Sequence, residues 1–449
     1  MSISLFNNHK ASFLLVSLIL LYLSFGHNIF HAVNPEKFYT TGHVSDALVI
    51  ARMVETRDHG LQSMQSRMGR YLGEKGNFDL QRDANQKRLY LGQPVDEPLT
   101  YTPYDSQFGA QALFFSYLDD AMAMLDIAPQ TRLTLFHSFL ALVFSIIIIA
   151  LLSILYDDIG PVACGLILIS ILFSRWQVYY AKSLYWMLPT MFLPMLTVFI
   201  ACKRESLGGN FYLILTSIIV MLIIMLDALM GYEYISTIML AAVTPLVYFM
   251  LRDNWNYRQT AQRFITIGTF SLIGFLLAFL IHTLQLKLAY GSLSDAIDII
   301  KERILVRTYT NPEDYANTAY YESQTTSVFY VLYVYLLKGG TFRLKVPFLL
   351  WILMLIHITI RWMRNDIVGN PQKIHLIKTL VITTWFSLLA PLSWLVLAKS
   401  HSEIHIQVNY IVWCLPFTFF AFALYGVYWE DRIRNAVNTL INRFRPNTA

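Results

Sequence analysis

Charge is what this sequence most lacks. Asp, Glu, Lys and Arg make up 14% of its 449 residues, against about 25% in soluble domains. So little charge excludes an ordinary water-soluble globule. A formal net charge of only +5 gives none of the basic field that draws nucleic acid, and no nucleic-acid partner is expected. Cysteine is scarce too. Cys164, Cys202 and Cys414 lie in or beside apolar runs without metal or redox spacing, which leaves them a packing role. No glycine-rich nucleotide-binding motif occurs. Nor does an inverted internal repeat of the kind that marks many transporters.

What is abundant is oil. Hydrophobic residues make up 56% of the chain and aromatics 15%. Apolar runs of roughly 20 residues, the length a hydrocarbon core asks of a helix, recur from end to end. Hydropathy predicts ten spans, at 11–31, 132–155, 160–174, 186–202, 211–229, 233–251, 264–286, 346–361, 375–397 and 409–428. The fold class is an all-α polytopic membrane protein. Segment 11–31 is read as an uncleaved first anchor, since its start is weakly basic and no small-residue cleavage site follows.

With the N-terminus inside, the basic loops CKRES (202–206), 251–263 and 361–366 and the tail 431–446 all face the cytoplasm, as the positive-inside rule requires. The organisation is then an anchor (1–31), an extracytoplasmic loop (32–131), spans two to seven (132–286), a second outer loop (287–345), spans eight to ten (346–430) and a basic tail (431–449). In the first loop, 45–72 and 105–127 are amphipathic and predict two interfacial helices. Between them, 81–104 is polar and turn-rich.

The ionisable groups gather on the outer side. Asp46 follows the first span closely, as a helix cap or as a carboxylate facing a cavity, where partial desolvation would suit a general base. Asp105 and Gln107 in YDSQFGAQ supply the donors and acceptors that sugar hydroxyls need. Arg175 and Lys182 sit among five aromatics in RWQVYYAKSLYW (175–186). They could snorkel there, or grip a lipid phosphate. Arg303 and Arg307 in KERILVRT are further anion-binding candidates. Asp227 and Glu233 flank an outer turn, at a depth where a charge needs a cavity or a partner. In AKSHSEIHIQVNY (398–410), His401 and His405 share one helix face and Glu403 stands between them. Hydrogen bonding to a polar substrate suits them better than metal binding, because no third ligand is specified. No metal site is assigned, and a divalent cation is the one cofactor left open.

This layout resembles the C-type (GT-C) integral membrane glycosyltransferases. In them a first span precedes a long outer loop with two interfacial helices and an early essential acid. The match covers about the first half of the chain by architecture, with Asp46 in the place of the acid and Lys182 or Arg307 as phosphate-binding cation. The resemblance implies transfer of a sugar from a polyprenyl-phosphate donor to a glycan or glycolipid acceptor among membrane lipids. The site would lie on the outer face of a bacterial inner membrane, with Asp46 as base, Arg175, Lys182, Arg303 and Arg307 on the phosphate, and Asp105, Gln107, Glu233, His401, Glu403 and His405 on the substrate. The alternatives are an O-antigen polymerase or ligase, which usually carries its large loop late in the chain, and a transporter or flippase.

Overall fold

The computed structural model describes residues 2–38, 45–73, 80–204, 209–316, 318, 320–342 and 346–444. Parts of both outer loops, of the basic loop 202–206 and of the tail lie outside the described residues. The chain starts with α1 (Ser2–His27). A lobe follows, made of α2 (Asp46–His59), β1 (Gly69–Leu72), α3 (Leu80–Tyr90), β2 (Thr100–Pro103) and α4 (Ala110–Ala123). Next come α5 (Pro129–Leu172), the short α6 (Arg175–Tyr180), α7 (Leu188–Lys203), α8 (Asn210–Met230), α9 (Ile235–Arg252) and α10 (Tyr257–Tyr290). A second outer segment carries α11 (Leu293–Arg307), α12 (Tyr321–Thr325) and α13 (Val328–Tyr333). The chain closes with α14 (Phe348–Met363), α15 (Pro371–Leu397), the short α16 (Lys399–Ile404) and α17 (Phe417–Phe444).

Among the described residues, six helices are long and apolar enough to cross a membrane: α1, α5, α8, α9, α10 and α15. Helices α7 and α14 are apolar but shorter. The protein is therefore an all-α membrane protein in which the expected spans differ in length. The expected spans 132–155 and 160–174 lie in one helical element, α5, which is a hairpin. Gly160 breaks it at φ 79° and ψ 171°, a conformation that glycine adopts without strain, and Pro161 then restarts the helix without an N–H to satisfy. Cys164 Sγ consequently lies 3.9 Å from the Leu152 carbonyl oxygen, although twelve residues of straight helix would separate them by ~18 Å. Helix α1 touches both arms: Phe25 meets Phe144 at 4.9 Å between ring centroids, and Ser24 Oγ donates to the Leu172 carbonyl at 3.1 Å.

One end of the bundle is closed by ion pairs. Asp157 and Asp158, at the hairpin tip, meet Lys10 at 2.8 Å, Lys203 at 3.3 Å and Arg252 at 2.7 Å, while Lys373 meets Asp431 at 2.7 Å. The lobe stands at the other end. Its strands pair antiparallel, Gly69 opposite Pro103. Its core of Leu48, Met53, Met68, Tyr90 and Phe115 continues into Phe136 and Leu140 of α5 and into Leu184 and Tyr185 after α6.

The lobe departs from the expected pair of interfacial helices. Helix α2 stops at His59, and every residue from Asp46 to Thr56 is buried. Of the charges that read as its solvent face, Arg57 and Asp58 are exposed but Arg52 and Glu55 are internal. The Arg52 guanidinium donates to the carbonyls of Leu61 (2.5 Å), Ser63 (2.7 Å) and Arg67 (3.3 Å). Glu55 accepts from the Ser63 hydroxyl and from Tyr71 at 2.7 Å. Residues 61–72 wrap these side chains as a turn and a strand instead of continuing the helix. The polar stretch 81–104 also holds α3 and β2. Helix α4 does turn Phe114 and Tyr117 outward, and Met124 and Leu125 just past its end are exposed too.

Helices α8 and α10 pack closely through Gly274. A Cβ there would stand 2.3 Å from the Met221 carbonyl oxygen, whereas one at Gly268 on the same helix meets nothing within 4 Å. Small residues permit such backbone approach in membrane bundles. Gly274→Ala is expected to destabilise the protein by ~1–3 kcal/mol through overpacking. Gly268→Ala should be neutral or slightly stabilising, because alanine is the better helix former. Melting curves of both variants in detergent micelles check the contrast.

Candidate functional site

A cavity of about 230 Å³ opens where the lobe meets the bundle. Each wall is a helix face. On α11, Ile300, Arg303, Ile304 and Arg307 recur at intervals of three and four residues and so share one side. On α10, Phe275, Phe279 and His282 do the same. The end of α15 adds Trp394 and Leu397, the turn into α9 adds Tyr232, Glu233 and Ile235, and the lobe adds Asp105 and Ser106. Most of this surface is apolar. The rim residues Ile304 and Leu397 are 47% and 56% exposed.

Charges of both signs enter this apolar space. Arg307 donates to the Arg303 carbonyl at 3.1 Å and to the Tyr104 hydroxyl at 3.4 Å. Burial works to lower its pKa, but Tyr104, Glu233 and Tyr185 outweigh burial and raise it, so the guanidinium stays cationic. Asp105 is held by Arg67 Nη1 at 2.8 Å and by the Tyr290 hydroxyl at 2.5 Å. Glu233 Oε1 accepts from the Tyr185 hydroxyl at 3.4 Å. Of the sequence candidates, Asp105, Glu233, Arg303 and Arg307 line this one cavity.

The other candidates stand apart from it. Asp46 is 0% exposed, and its Oδ1 accepts from Ser183 Oγ at 2.6 Å and from the Tyr185 backbone N–H at 3.0 Å. It therefore joins the first helix of the lobe to the segment between α6 and α7 and does not line the cavity. Gln107 is occupied in the same joint, donating to the Met230 carbonyl at 2.6 Å and accepting from Tyr185 at 3.1 Å. Lys182 Nζ lies 3.6 Å from the centroid of the Phe38 ring, and the Arg175 guanidinium lies 4.9 Å from that of Trp176.

The histidine stretch forms α16 behind the cavity wall. His401 packs on Trp394 (5.5 Å) and His405 (4.6 Å), and its Nδ1 meets Asn409 Nδ2 at 3.2 Å. Burial first, then His405 and Arg307, push the His401 pKa well below its usual value. Burial and Arg307 bring His405 to about 4. Both rings are neutral at neutral pH; His401 buttresses Trp394 and His405 backs His401. Burial first, then the neighbouring Glu322, raise the Glu403 pKa against the opposing pull of Lys399. Lys399 itself donates to the carbonyls of Gln324 and Thr326 at 2.7 and 2.9 Å. Among the described residues no three His, Cys, Asp or Glu side chains gather closely enough to hold a metal ion.

The sequence reading missed His282, Tyr232 and Trp394. His282 did carry a signal, an ionisable residue inside an otherwise apolar span, which is rare without a function or a partner. Trp394 carried none, because a tryptophan near a span end is ordinary.

Lys182 has a pH consequence. Burial brings its pKa down from 10.5 to about 8, against the opposing pull of Asp46. Between those values the unfolded chain binds more protons than the folded one, so stability rises with pH across that window and the penalty is complete below it. The stability of the wild type relative to Lys182→Met should therefore rise by up to about 3 kcal/mol between pH 8 and 10.5. Parallel melts in detergent across this range check it, and a flat difference would count against a buried ammonium.

Comparison of the chain with protein-family models, with curated proteins and with solved structures gives no match.

Proposed function

We propose that the protein is a membrane glycosyltransferase that takes a sugar from a polyprenyl-phosphate donor and passes it to a hydroxyl of a glycan or lipid-linked acceptor. The observation that carries this reading is the chemistry of the cavity. Two guanidinium groups and two carboxylates share walls that are mostly apolar and that end at an exposed apolar rim. A lipid phosphate sugar has the matching parts, namely a tail, an anionic link and a hydroxylated head. In this reading the chain crosses a bacterial inner membrane about ten times. The ion-paired end of the bundle is cytoplasmic and the cavity lies at the outer boundary, in keeping with the positive-inside rule.

The chemistry is a displacement with inversion. Glu233, the lining carboxylate that is not ion-paired like Asp105, takes the proton of the acceptor hydroxyl. The acceptor oxygen forms a bond to the anomeric carbon. The bond from that carbon to the phosphate oxygen breaks, and its electron pair leaves with the polyprenyl phosphate. Arg303 and Arg307 stabilise the charge that grows on this oxygen in a water-poor space. Asp46 becomes a positioning residue. It fixes the Tyr185 backbone, and the Tyr185 hydroxyl reaches Glu233.

Protein in nanodiscs, supplied with a labelled polyprenyl-phosphate hexose and an acceptor glycan, should release polyprenyl phosphate. Glu233→Gln should lower the rate about 10²–10⁴-fold, and Arg307→Met about 10²–10³-fold. Asp46→Asn keeps an acceptor oxygen for Ser183 and Tyr185 and should lose less than about tenfold. Full activity in Glu233→Gln with none in Asp46→Asn would return the base role to Asp46. Passage of the intact donor across vesicles without any bond cleavage would favour a transporter.

A further inference from the structure

Three residues that line the cavity carry a buried polar atom that the protein itself leaves unmatched. His282 is 1% exposed and Trp394 is 6% exposed. His282 Nε2, Trp394 Nε1 and Arg303 Nε are all buried without a hydrogen-bond partner. Buried polar atoms are nearly always bonded, so three orphans around one space call for an explanation. They come from three different helices, α10, α15 and α11, and all three residues line the same cavity. His282 is also pre-oriented, because its Nδ1 is engaged with the Tyr232 hydroxyl at 3.0 Å. Its Nε2 is thus the one ring nitrogen free to meet a ligand.

We infer that His282 and Trp394 read the hydroxyls of a single sugar residue at the head of the bound lipid, and that the cavity admits a monosaccharide rather than an oligosaccharide. The inference rests on the transferase reading for the identity of the lipid phosphate. The division of labour follows from the chemistry of each group. Arg303 and Arg307 share one face of α11 and carry the charge that matches a phosphate. The indole N–H is a neutral donor only, and the imidazole presents one nitrogen. Single directional contacts of this kind suit hydroxyls. They also discriminate, because a site built to bond a hydroxyl rejects a ligand that lacks it. Size sets the limit. About 230 Å³ is below the roughly 300–1,000 Å³ of ordinary ligand pockets.

The test measures binding alone. Full-length protein in nanodiscs is titrated with farnesyl phosphate, with its glucosyl, mannosyl and galactosyl phosphodiesters, and with a trisaccharide phosphodiester. At least one monosaccharide ester should bind ten times or more tighter than farnesyl phosphate, and the trisaccharide ester should not share that gain. His282→Phe and Trp394→Phe should each erase the gain and leave the affinity for farnesyl phosphate unchanged. His282→Gln, which restores a polar group, should recover part of it. Arg303→Met should weaken every ligand. The inference is overturned if no monosaccharide ester gains over farnesyl phosphate, if the trisaccharide ester gains equally, if His282→Phe keeps the gain, or if it weakens farnesyl phosphate as much. Binding that follows the expected pattern without any release of polyprenyl phosphate would sink the transferase reading and leave the sugar-reading one standing.

Discussion

A bilayer offers no hydrogen bonds, so each polar group that this chain carries into its apolar bundle has to find a partner within the protein. The architecture follows from that constraint. At one end, Asp158 collects Arg252, Lys203 and the Tyr248 hydroxyl. Within the bundle, Asp227 accepts from Thr190 at 2.8 Å. At the other end, Asp46 takes Ser183 and the Tyr185 N–H. Three residues that line the cavity, His282, Trp394 and Arg303, each carry a buried polar atom without a partner, as Tyr180, Trp413 and Trp429 do elsewhere in the molecule.

Tyr185 links the lobe to that space. Its backbone N–H is held by Asp46, its carbonyl accepts from Gln111 at 3.2 Å, and its hydroxyl reaches both Gln107 and Glu233. Lobe, bundle and cavity wall therefore share one residue. A carboxylate near the first span can in this way govern the geometry of another carboxylate far along the chain without touching a ligand. Two charges of the lobe's first helix point inward. Arg52 ties three carbonyls of the following turn, and Glu55 pins that turn to β1. A helix with a hydrophobic stripe and charged neighbours is read as interfacial, but local periodicity carries no record of a partner that arrives from a later segment.

How much of the candidate site was legible depended on how local each cause was. Arg303 and Arg307 could be paired from spacing alone, since residues four apart on a helix share a face. Asp105 was visible as part of a polar stretch suited to sugar hydroxyls, and Glu233 as a costly charge near membrane depth. Asp46 attracted attention for the same reason, yet its partners lie 137 and 139 residues away, and they turn it from the cavity into a joint. The two histidines do meet, at 4.6 Å between rings, but α16 ends at Ile404, so His405 lies just past the helix, and only His401 packs against Trp394.

The sequence by itself determined the helical membrane character, the approximate extents of the apolar segments and the sorting of basic loops from the lobe, because hydropathy and charge act over runs of about 20 residues. The turn between the spans expected at 132–155 and 160–174 falls at Gly160, whereas tertiary structure alone decided that α2 is a core helix and which ionisable groups meet. Those outcomes depend on the rotation of each helix about its axis and on contacts such as Tyr290 to Asp105, 185 residues apart, which no local pattern encodes.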